Sequence, residues 1–570
     1  MHERRSYTFA LAQLNPTVGD VAGNLSLIRA ARAEAAAGGA DLLLTSELAL
    51  SGYPPEDLVL KPDLLAHLHR AADELAAETA DGGPGVLLCT PWYEGDPNDW
   101  GHTSPESLRG TVTNSVLYLD EGRIVTRRDK VELPNYGVFD EVRVFHKGEM
   151  PGPIMARGLR LGVPICEDIW FPDVCETLEE TGAEVLLVPN GSPFDADKMD
   201  LRLQMASARV GETGLPLVYL NQVGGQDELV FDGASFALNP DYSVALQMPA
   251  FQSQVGFLTL EESPEGWRWQ SGQKETLPAE NETIYAALTL GLRDYVNKNG
   301  FPGVVLGLSG GVDSALSAAL AVDALGAERV RAVMMPSPYT SRESLEDAAA
   351  SAAHLGIQLD EIAIEPAMQA FDQQLKPIFN GMPAGIAEEN IQSRARGLTL
   401  MAISNKLGPM VLSTGNKSEM SVGYATLYGD MCGGFNPLKD VYKTQVYQIS
   451  QWRNQARPAG ALGPAGRVMP ERTLTKAPTA ELKPDQTDQD SLPSYDDLDA
   501  ILHGLIEREA ALDTLVNEGH ERGTVLRVWS LLDRAEYKRR QSCPGTKITK
   551  RSLSRDRRYP ITNGFRAPSH

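Results

Sequence analysis

Gly307-Leu308-Ser309-Gly310-Gly311-Val312-Asp313-Ser314 is entered by the apolar run Val304 to Leu308 and left by the alanine-rich stretch Ala315 to Leu325. The first reads as a buried parallel strand and the second as a helix, so the stretch is a strand, a glycine turn and a helix start. Backbone N–H groups at such a helix start lack intrahelical partners, and the positive end of the helix dipole lies behind them, which makes an anion site. Gly310 and Gly311 can take positive φ and let phosphate oxygens approach the main chain, while Ser309 and Ser314 can donate hydroxyl hydrogen bonds. Asp313 would repel phosphate unless a cation bridged them, so its presence argues for Mg²⁺. The Gly-Lys-Ser/Thr ending of a Walker A loop is absent.

The six residues Ser309 to Ser314 resemble the Ser-Gly-Gly-x-Asp-Ser loop of N-type ATP pyrophosphatases. That resemblance implies an ATP site at Gly307, Leu308, Ser309, Gly310, Gly311, Val312, Asp313 and Ser314. It also implies cleavage of ATP between the α- and β-phosphates, adenylylation of an oxygen, and displacement of AMP by a nucleophile.

At 570 residues the chain is too long for one core, and two or more domains are expected. No apolar run reaches the roughly 20 residues needed to span a bilayer. A short charged start leads directly into a strand-like run, which argues against a secretory signal. The five cysteines, Cys89, Cys166, Cys175, Cys432 and Cys543, form no paired metal spacing and no even framework. Free thiols in a reducing, cytoplasmic setting are expected. The net charge of −24 argues against general nucleic-acid binding. Between Arg534 and Arg558 ten Lys and Arg face only Glu536 and Asp556, a local +8 that leaves −32 on the rest. Such a segment is a solvated helix face, a subunit contact or a clamp on a phosphorylated ligand.

The N-terminal half alternates short strands with helical or turn-rich stretches, the pattern of an α/β domain. Three of its stretches carry chemistry. Ser46-Glu47-Leu48 puts a carboxylate just past a strand, Asp129-Lys130-Val131-Glu132 puts a lysine before a turn, and Ile165-Cys166-Glu167-Asp168 puts a thiol at a strand end. Read singly, Glu47 and Lys130 are surface charges and Cys166 a small buried hydrophobe. Their order and flanks resemble the carbon–nitrogen hydrolase (nitrilase) superfamily, whose catalytic set is Glu, Lys, Cys. The resemblance implies an αββα sandwich in which Glu47 takes the thiol proton, Cys166 attacks an amide carbon, and Lys130 stabilises the oxyanion. Glu141 matches a second glutamate of that superfamily, whereas Cys175 has no such context and reads as structural.

The segments Leu133-Pro134-Asn135-Tyr136-Gly137 and Asn190-Gly191-Ser192-Pro193-Phe194, followed by Lys198, are similar to the glutaminase domain of glutamine-dependent NAD⁺ synthetases. There the positions matching Tyr136, Ser192 and Lys198 contact glutamine. As plain residues, Tyr136 and Ser192 are turn formers and Lys198 an exposed lysine.

Residues 263–282 are polar and turn-rich and are read as a linker between a domain over 1–262 and a second over 283–570. The second half continues strand, helix, strand, which predicts a doubly wound parallel sheet with the phosphate loop at its carboxyl edge. Ser413-Thr414-Gly415-Asn416-Lys417-Ser418-Glu419 is another strand end, turn and helix start, and by itself a capped helix. The synthetase resemblance assigns Thr414 to ATP, Lys417 to phosphate charge, and Glu419 to Mg²⁺ or the dinucleotide, with Asp313 and Glu419 as metal ligands. It gives Asn390 and Lys547 to deamido-NAD, which would make the basic segment a clamp on the dinucleotide. The polar stretch Ala480 to Tyr495 is the one most particular to these enzymes. Residues 429–440 and 453–471 are expected to be mobile.

The resemblance covers nearly the whole chain and implies one linked activity: glutamine hydrolysed at Cys166, and ammonia passed to an adenylylated deamido-NAD to give NAD⁺, glutamate, AMP and diphosphate. It implies a homo-oligomer with ATP, glutamine and deamido-NAD as substrates. The alternative is another pyrophosphate-loop glutamine amidotransferase, whose glutaminase half would use a different nucleophile setting. An RNA-binding protein using the basic segment is disfavoured by the acidic remainder.

Overall fold

A computed structural model describes residues 5–95, 108, 111–484 and 486–565. The chain forms two compact units, the first of residues 1–226 and 230–278, the second of residues 227–229 and 279–570.

In the first unit, apolar strands build two large sheets, apart from the short ribbon of Val223–Gln226 and Leu229–Asp232. One has seven strands in the order Gly266–Trp269, Gln254–Ser263, Ser6–Gln13, Leu42–Thr45, Gly85–Trp92, Thr113–Asp120, Arg123–Asp129. The other has six, ordered Val244–Gln247, Phe236–Leu238, Leu217–Asn221, Val185–Asn190, Leu159–Gly162, Ile154–Ala156. Phe9, Leu11, Leu44, Leu87 and Val116 of the first sheet share one buried cluster with Leu161, Leu187, Val218, Leu220 and Ala237 of the second. The sheets therefore pack face to face. Helices Val21–Ala37 and Pro62–Glu78 cover the first sheet, and Pro172–Glu180 and Lys198–Thr213 the second, giving four layers, αββα. Gly266–Trp269, inside the stretch expected as a linker, pairs instead with Gln254–Ser263, and its Trp269 stacks edge-on against Phe9 at 5.4 Å. Two apolar indoles in an otherwise polar sequence close the sheet edge there.

The second unit is built on four parallel strands in the order Gln358–Glu361, Val330–Met334, Val304–Gly307, Met410–Leu412. Val305, Val333 and Val411 face helix Ile386–Leu407. By alternation, Val304, Leu306 and Ala332 point to the opposite face, where helix Val312–Leu325 packs on these strands. The strand Val304–Gly307 lies at the centre beside Met410–Leu412, so the loops leaving both emerge side by side at the carboxyl edge.

Residues 429–440 are tied to that sheet rather than loose. Ser413 N donates to Phe435 O at 3.0 Å and Gly434 N to Val411 O at 2.8 Å, with Phe435 and Leu438 buried. Among the described residues no helix is long and apolar enough to cross a membrane.

Candidate active sites

In the first unit each chemical residue sits where a strand ends. Glu47 follows Leu42–Thr45, Lys130 follows Arg123–Asp129, and Cys166 opens a short turn after Leu159–Gly162 with φ +47°. A β-carbon residue in the left-handed region is strained, and here the strain turns a strand sharply at the thiol. All three side chains are buried, and Glu47 and Lys130 meet out of water. Lys130 Nζ donates to Glu47 Oε1 at 2.7 Å and to both oxygens of Glu141 at 2.9 Å. Glu47 Oε1 also accepts from Asn114 Nδ2, and Oε2 from Gly191 N, each at 2.8 Å. Gly191 permits that contact, since a Cβ there would lie 2.8 Å from the Tyr53 ring and 3.2 Å from the Glu47 carboxylate. Tyr53 OH fixes Glu141 at 2.8 Å.

The electrostatics follow from this burial. Desolvation works against the Lys130 ammonium, but Glu141 and Glu47 outweigh it and hold it well above the ordinary lysine value. Burial, together with Glu47 and against the pull of Lys130, raises the Cys166 thiol well above its usual range, so the resting nucleophile is a protonated thiol. A carboxylate must take its proton, and Glu47 exerts the largest charge effect on it. Glu141 is pushed up to about 7 by burial, with Lys130 opposing.

Two of the expected glutamine contacts, Tyr136 and Lys198, act on Glu167, the residue after the thiol, which carried no signal in the sequence. Tyr136 OH donates to Glu167 at 3.0 Å and its ring stacks edge-on with Phe139, over which Lys198 Nζ sits at 5.4 Å. Ser192 is buried, and its hydroxyl accepts from Arg202 Nε at 3.2 Å. Asp168 joins the catalytic loops: Oδ1 accepts from Val131 N and Glu132 N at 3.1 and 2.7 Å, and Oδ2 accepts from Ile165 N at 2.8 Å. One carboxyl thus ties the backbone beside Lys130 to the backbone beside Cys166.

In the second unit the phosphate loop has the conformation its glycines allow. Gly310 has φ +86°, and a Cβ there would lie 2.3 Å from Ser344 O. Gly311 is extended instead, φ −79° and ψ 157°, and caps helix Val312–Leu325. The Ser309 and Ser314 hydroxyls lie 3.1 Å apart across the turn, and Leu308 N is anchored to Val333 O. Across from it, Asn416 Nδ2 donates to Asp313 Oδ1 at 2.9 Å. Thr414, half-buried, and Glu419 belong to the same neighbouring loop and helix start. The ammonium of Lys443 is paired with Asp313 and lies 3.5 Å from Glu419. Burial, with Asp313 and Asp488 and against Lys443, pushes Glu419 up to about 8. Lys443 carried no sequence signal: it is one lysine at the start of a polar helix, outside every motif.

The other expected contact residues have protein partners of their own. Asn390 Oδ1 accepts from Thr426 Oγ1 at 2.9 Å. Lys417, expected to meet phosphate, is fully buried, and its ammonium is spent on Glu507, Thr549 Oγ1, Arg551 O and Asp440. Lys547 Nζ donates to Thr549 O and Lys550 O and pairs with Asp556 at 2.9 Å. Much of the basic segment is internal in the same way. Lys538 holds Gly423 O and Ala425 O, Arg539 holds Ser421 O and Leu532 O, and Arg557 pairs with Glu536. Asp485, within the polar stretch 480–495, lies outside the described residues.

A hydrolase half with a buried Glu-Lys-Cys set and a ligase half with a phosphate loop define a two-domain amidotransferase. Residues 8–268 match the carbon-nitrogen hydrolase family model, and residues 284–542 match that of NAD synthase. The chain is 48% identical over 565 residues to the glutamine-dependent NAD(+) synthetase of Rhodobacter capsulatus, covering 99% of both chains. It is 42% identical to that of Acinetobacter baylyi, again over 99% of each. A solved structure of the Acinetobacter baumannii synthetase in complex with ADP superposes with a TM-score of 0.77 at 41% identity, covering 99% of this chain and 100% of that one. The chain belongs to the glutamine-dependent NAD⁺ synthetase family, ligases that use glutamine as amido donor.

Two variants test these geometries. Gly310→Ala places a methyl against a backbone carbonyl at positive φ, at a strain cost of about 1–2 kcal/mol before the clash. ATP-dependent diphosphate release should be lost while glutamine hydrolysis persists, which coupled-enzyme assays of each half-reaction measure. For Asp168, burial outweighs its N–H donors and pushes the carboxyl from the ordinary 3.8 up to about 7. The folded chain therefore keeps a proton that the unfolded chain releases between those values, and that stability is present at low pH and is lost as pH rises through about 7. The melting temperature of the wild type relative to Asp168→Asn, which cannot titrate, should be highest near pH ~4 and fall towards pH ~8 in calorimetry.

Proposed function

We propose that this chain makes NAD⁺ from deamido-NAD⁺, glutamine and ATP, with Glu47, Lys130 and Cys166 releasing ammonia and the 307–314 loop activating the acid. The observation that carries the reading is the buried Glu47–Lys130 pair at 2.7 Å, whose two charges both act on the buried Cys166 thiol. Glu47 takes the proton of Cys166 as sulfur attacks the glutamine amide carbon. Lys130 offsets charge on the oxyanion, and ammonia leaves with the proton that Glu47 carried. Water then attacks the thioester carbonyl, giving glutamate and the free thiol. Tyr136, Ser192 and Lys198, with Glu167 among them, bind the amino-acid end of glutamine.

In the synthetase unit a carboxylate oxygen of deamido-NAD attacks the α-phosphorus of ATP and diphosphate departs. Ammonia then attacks the adenylated carbonyl carbon, and AMP leaves. A free carboxylate is a poor electrophile, so the phosphoryl step precedes amide formation. Residues 307–314 and Thr414 hold ATP, and Asn390, Glu419 and Lys547 are assigned to deamido-NAD. The donor set fits Mg²⁺: Asp313 and Glu419 reach one cation, here the Lys443 ammonium, from two separate loops, leaving positions for phosphate oxygens and water. Bound there, Mg²⁺ would offset charge developing on diphosphate. Two catalytic domains dividing near residue 278 perform the two half-reactions.

Five free cysteines suit a reducing cytoplasm. A homo-oligomer is favoured by the exposed Ile378, Ile386 and Leu398 on helices Glu365–Phe379 and Ile386–Leu407 and by the exposed Met382 between them, since a chain of its own kind would bury them.

Cys166→Ala should abolish NAD⁺ formation from glutamine yet keep it from ammonium salts, read by product chromatography with deamido-NAD, ATP and Mg²⁺. Equal loss with both nitrogen donors would refute the division of labour. Ile378→Glu with Met382→Glu should lower the mass measured by light scattering; an unchanged assembly would place the contact elsewhere.

A further inference from the structure

The synthetase unit contains a second buried ion pair that no step above uses. Asp323 and Arg453 are almost wholly excluded from water and joined by two hydrogen bonds, Arg453 Nε to Oδ2 at 2.6 Å and Nη2 to Oδ1 at 2.9 Å. Tyr285 OH, from helix Glu280–Lys298, donates to the same Oδ2 at 2.6 Å. Asp323 lies on helix Val312–Leu325, whose first turn carries Asp313, and Arg453 on helix Lys443–Gln455, whose first residue is Lys443. Asp313 and Asp323 are ten residues apart, and so are Lys443 and Arg453. The helices are therefore cross-linked twice in the same register, at rungs separated by about 15 Å of helical rise. One rung is the Asp313–Lys443 pair at the phosphate loop, and the other is buried at the far end.

Two rungs at equal spacing fix how far one helix can slide along the other. A slip of one residue, about 1.5 Å, would break the bidentate pair and carry the Lys443 ammonium away from Asp313. Arg453 also grips the following loop, with Nη2 donating to Pro464 O at 2.8 Å, while Leu462 N donates to Asp323 O at 2.9 Å. Gly463 approaches so closely that a Cβ would meet Asp323 Oδ1 at 2.2 Å. Residues 456–466, expected to be mobile, are bound to this rung. A pair serving packing alone would need neither the matched register nor the shared third partner.

We propose that Asp323, Arg453 and Tyr285 are positioning residues for the ATP site, holding the helix that carries Lys443 in axial register with the helix that carries Asp313. The inference rests on the ATP site proposed above. It is tested in the full chain with ammonium as nitrogen donor, measuring diphosphate release against ATP concentration for Arg453→Lys, Tyr285→Phe and Lys443→Met. Arg453→Lys keeps the charge but loses the fork, and kcat/KM for ATP should fall roughly tenfold; Tyr285→Phe removes one hydrogen bond and should lower it about threefold. Glutamine hydrolysis, in the other unit, should be unchanged. A role in stability alone would lower the melting temperature and leave kcat/KM for ATP at the wild-type value well below it. That result in both variants would overturn the inference. Unaltered diphosphate release in Lys443→Met would overturn it as well, whereas unaltered release in Gly310→Ala would overturn the reading of the ATP site itself.

Discussion

A lysine ammonium held between two carboxylates, out of reach of water, recurs in both units and conditions everything around it. Lys130 lies between Glu47 and Glu141, and Lys443 between Asp313 and Glu419. Taking such a cation out of water costs several kcal/mol per ion and is offset only where the partners are close and well directed. In the first unit that direction comes from Asn114, Gly191 and Tyr53, which occupy the remaining lone pairs of the two glutamates. Glu47 follows a strand end, while Glu141 opens a short turn at 141–143, so the arrangement exists only when segments far apart in the chain are brought together. Folding and chemistry are thereby the same event at this point.

The burial that makes the ion network rigid also sets its reactivity. A thiol held out of solvent near a carboxylate is raised above its ordinary range, and Cys166 is held so. The second unit uses a different economy of charge. Its glycine loop carries backbone donors, two hydroxyls and the Asp313 carboxylate, while Glu419 and Lys443 stand on the neighbouring helix start and on helix Lys443–Gln455.

Much of this was legible before any coordinates. The phosphate loop could be read because strand, glycine turn and serine side chains are consecutive, and Glu47, Lys130 and Cys166 because their order and flanking residues resemble those of a known superfamily. Asp168, Asn114 and Lys443 escaped because they act across distances of tens to more than a hundred residues, where a lone polar side chain has no periodicity to mark it. Lys417 and Lys547 are the opposite case. They stand inside motif-like stretches, yet tertiary contacts spend their ammonium groups on Glu507, Asp440 and Asp556. The positive segment could be a surface face, a contact or a clamp by composition; the fold makes much of it an internal staple of carbonyls and acids. The linker was misjudged because a two-residue turn between Ser263 and Gly266 looks polar in sequence, while the strand it returns is anchored by Trp267 and Trp269.

That staple bears on how the molecule comes into being. The first unit is complete once residue 278 has been made, whereas the interior around Lys417 and Asp440 awaits Thr549 and Arg551. During synthesis the hydrolase half can condense while the ribosome is still translating the ligase half. The ligase half must remain open, with Lys417 and Asp440 wet, until almost three hundred further residues have emerged. A nascent chain would hence carry a finished ammonia source well before it has anything to aminate.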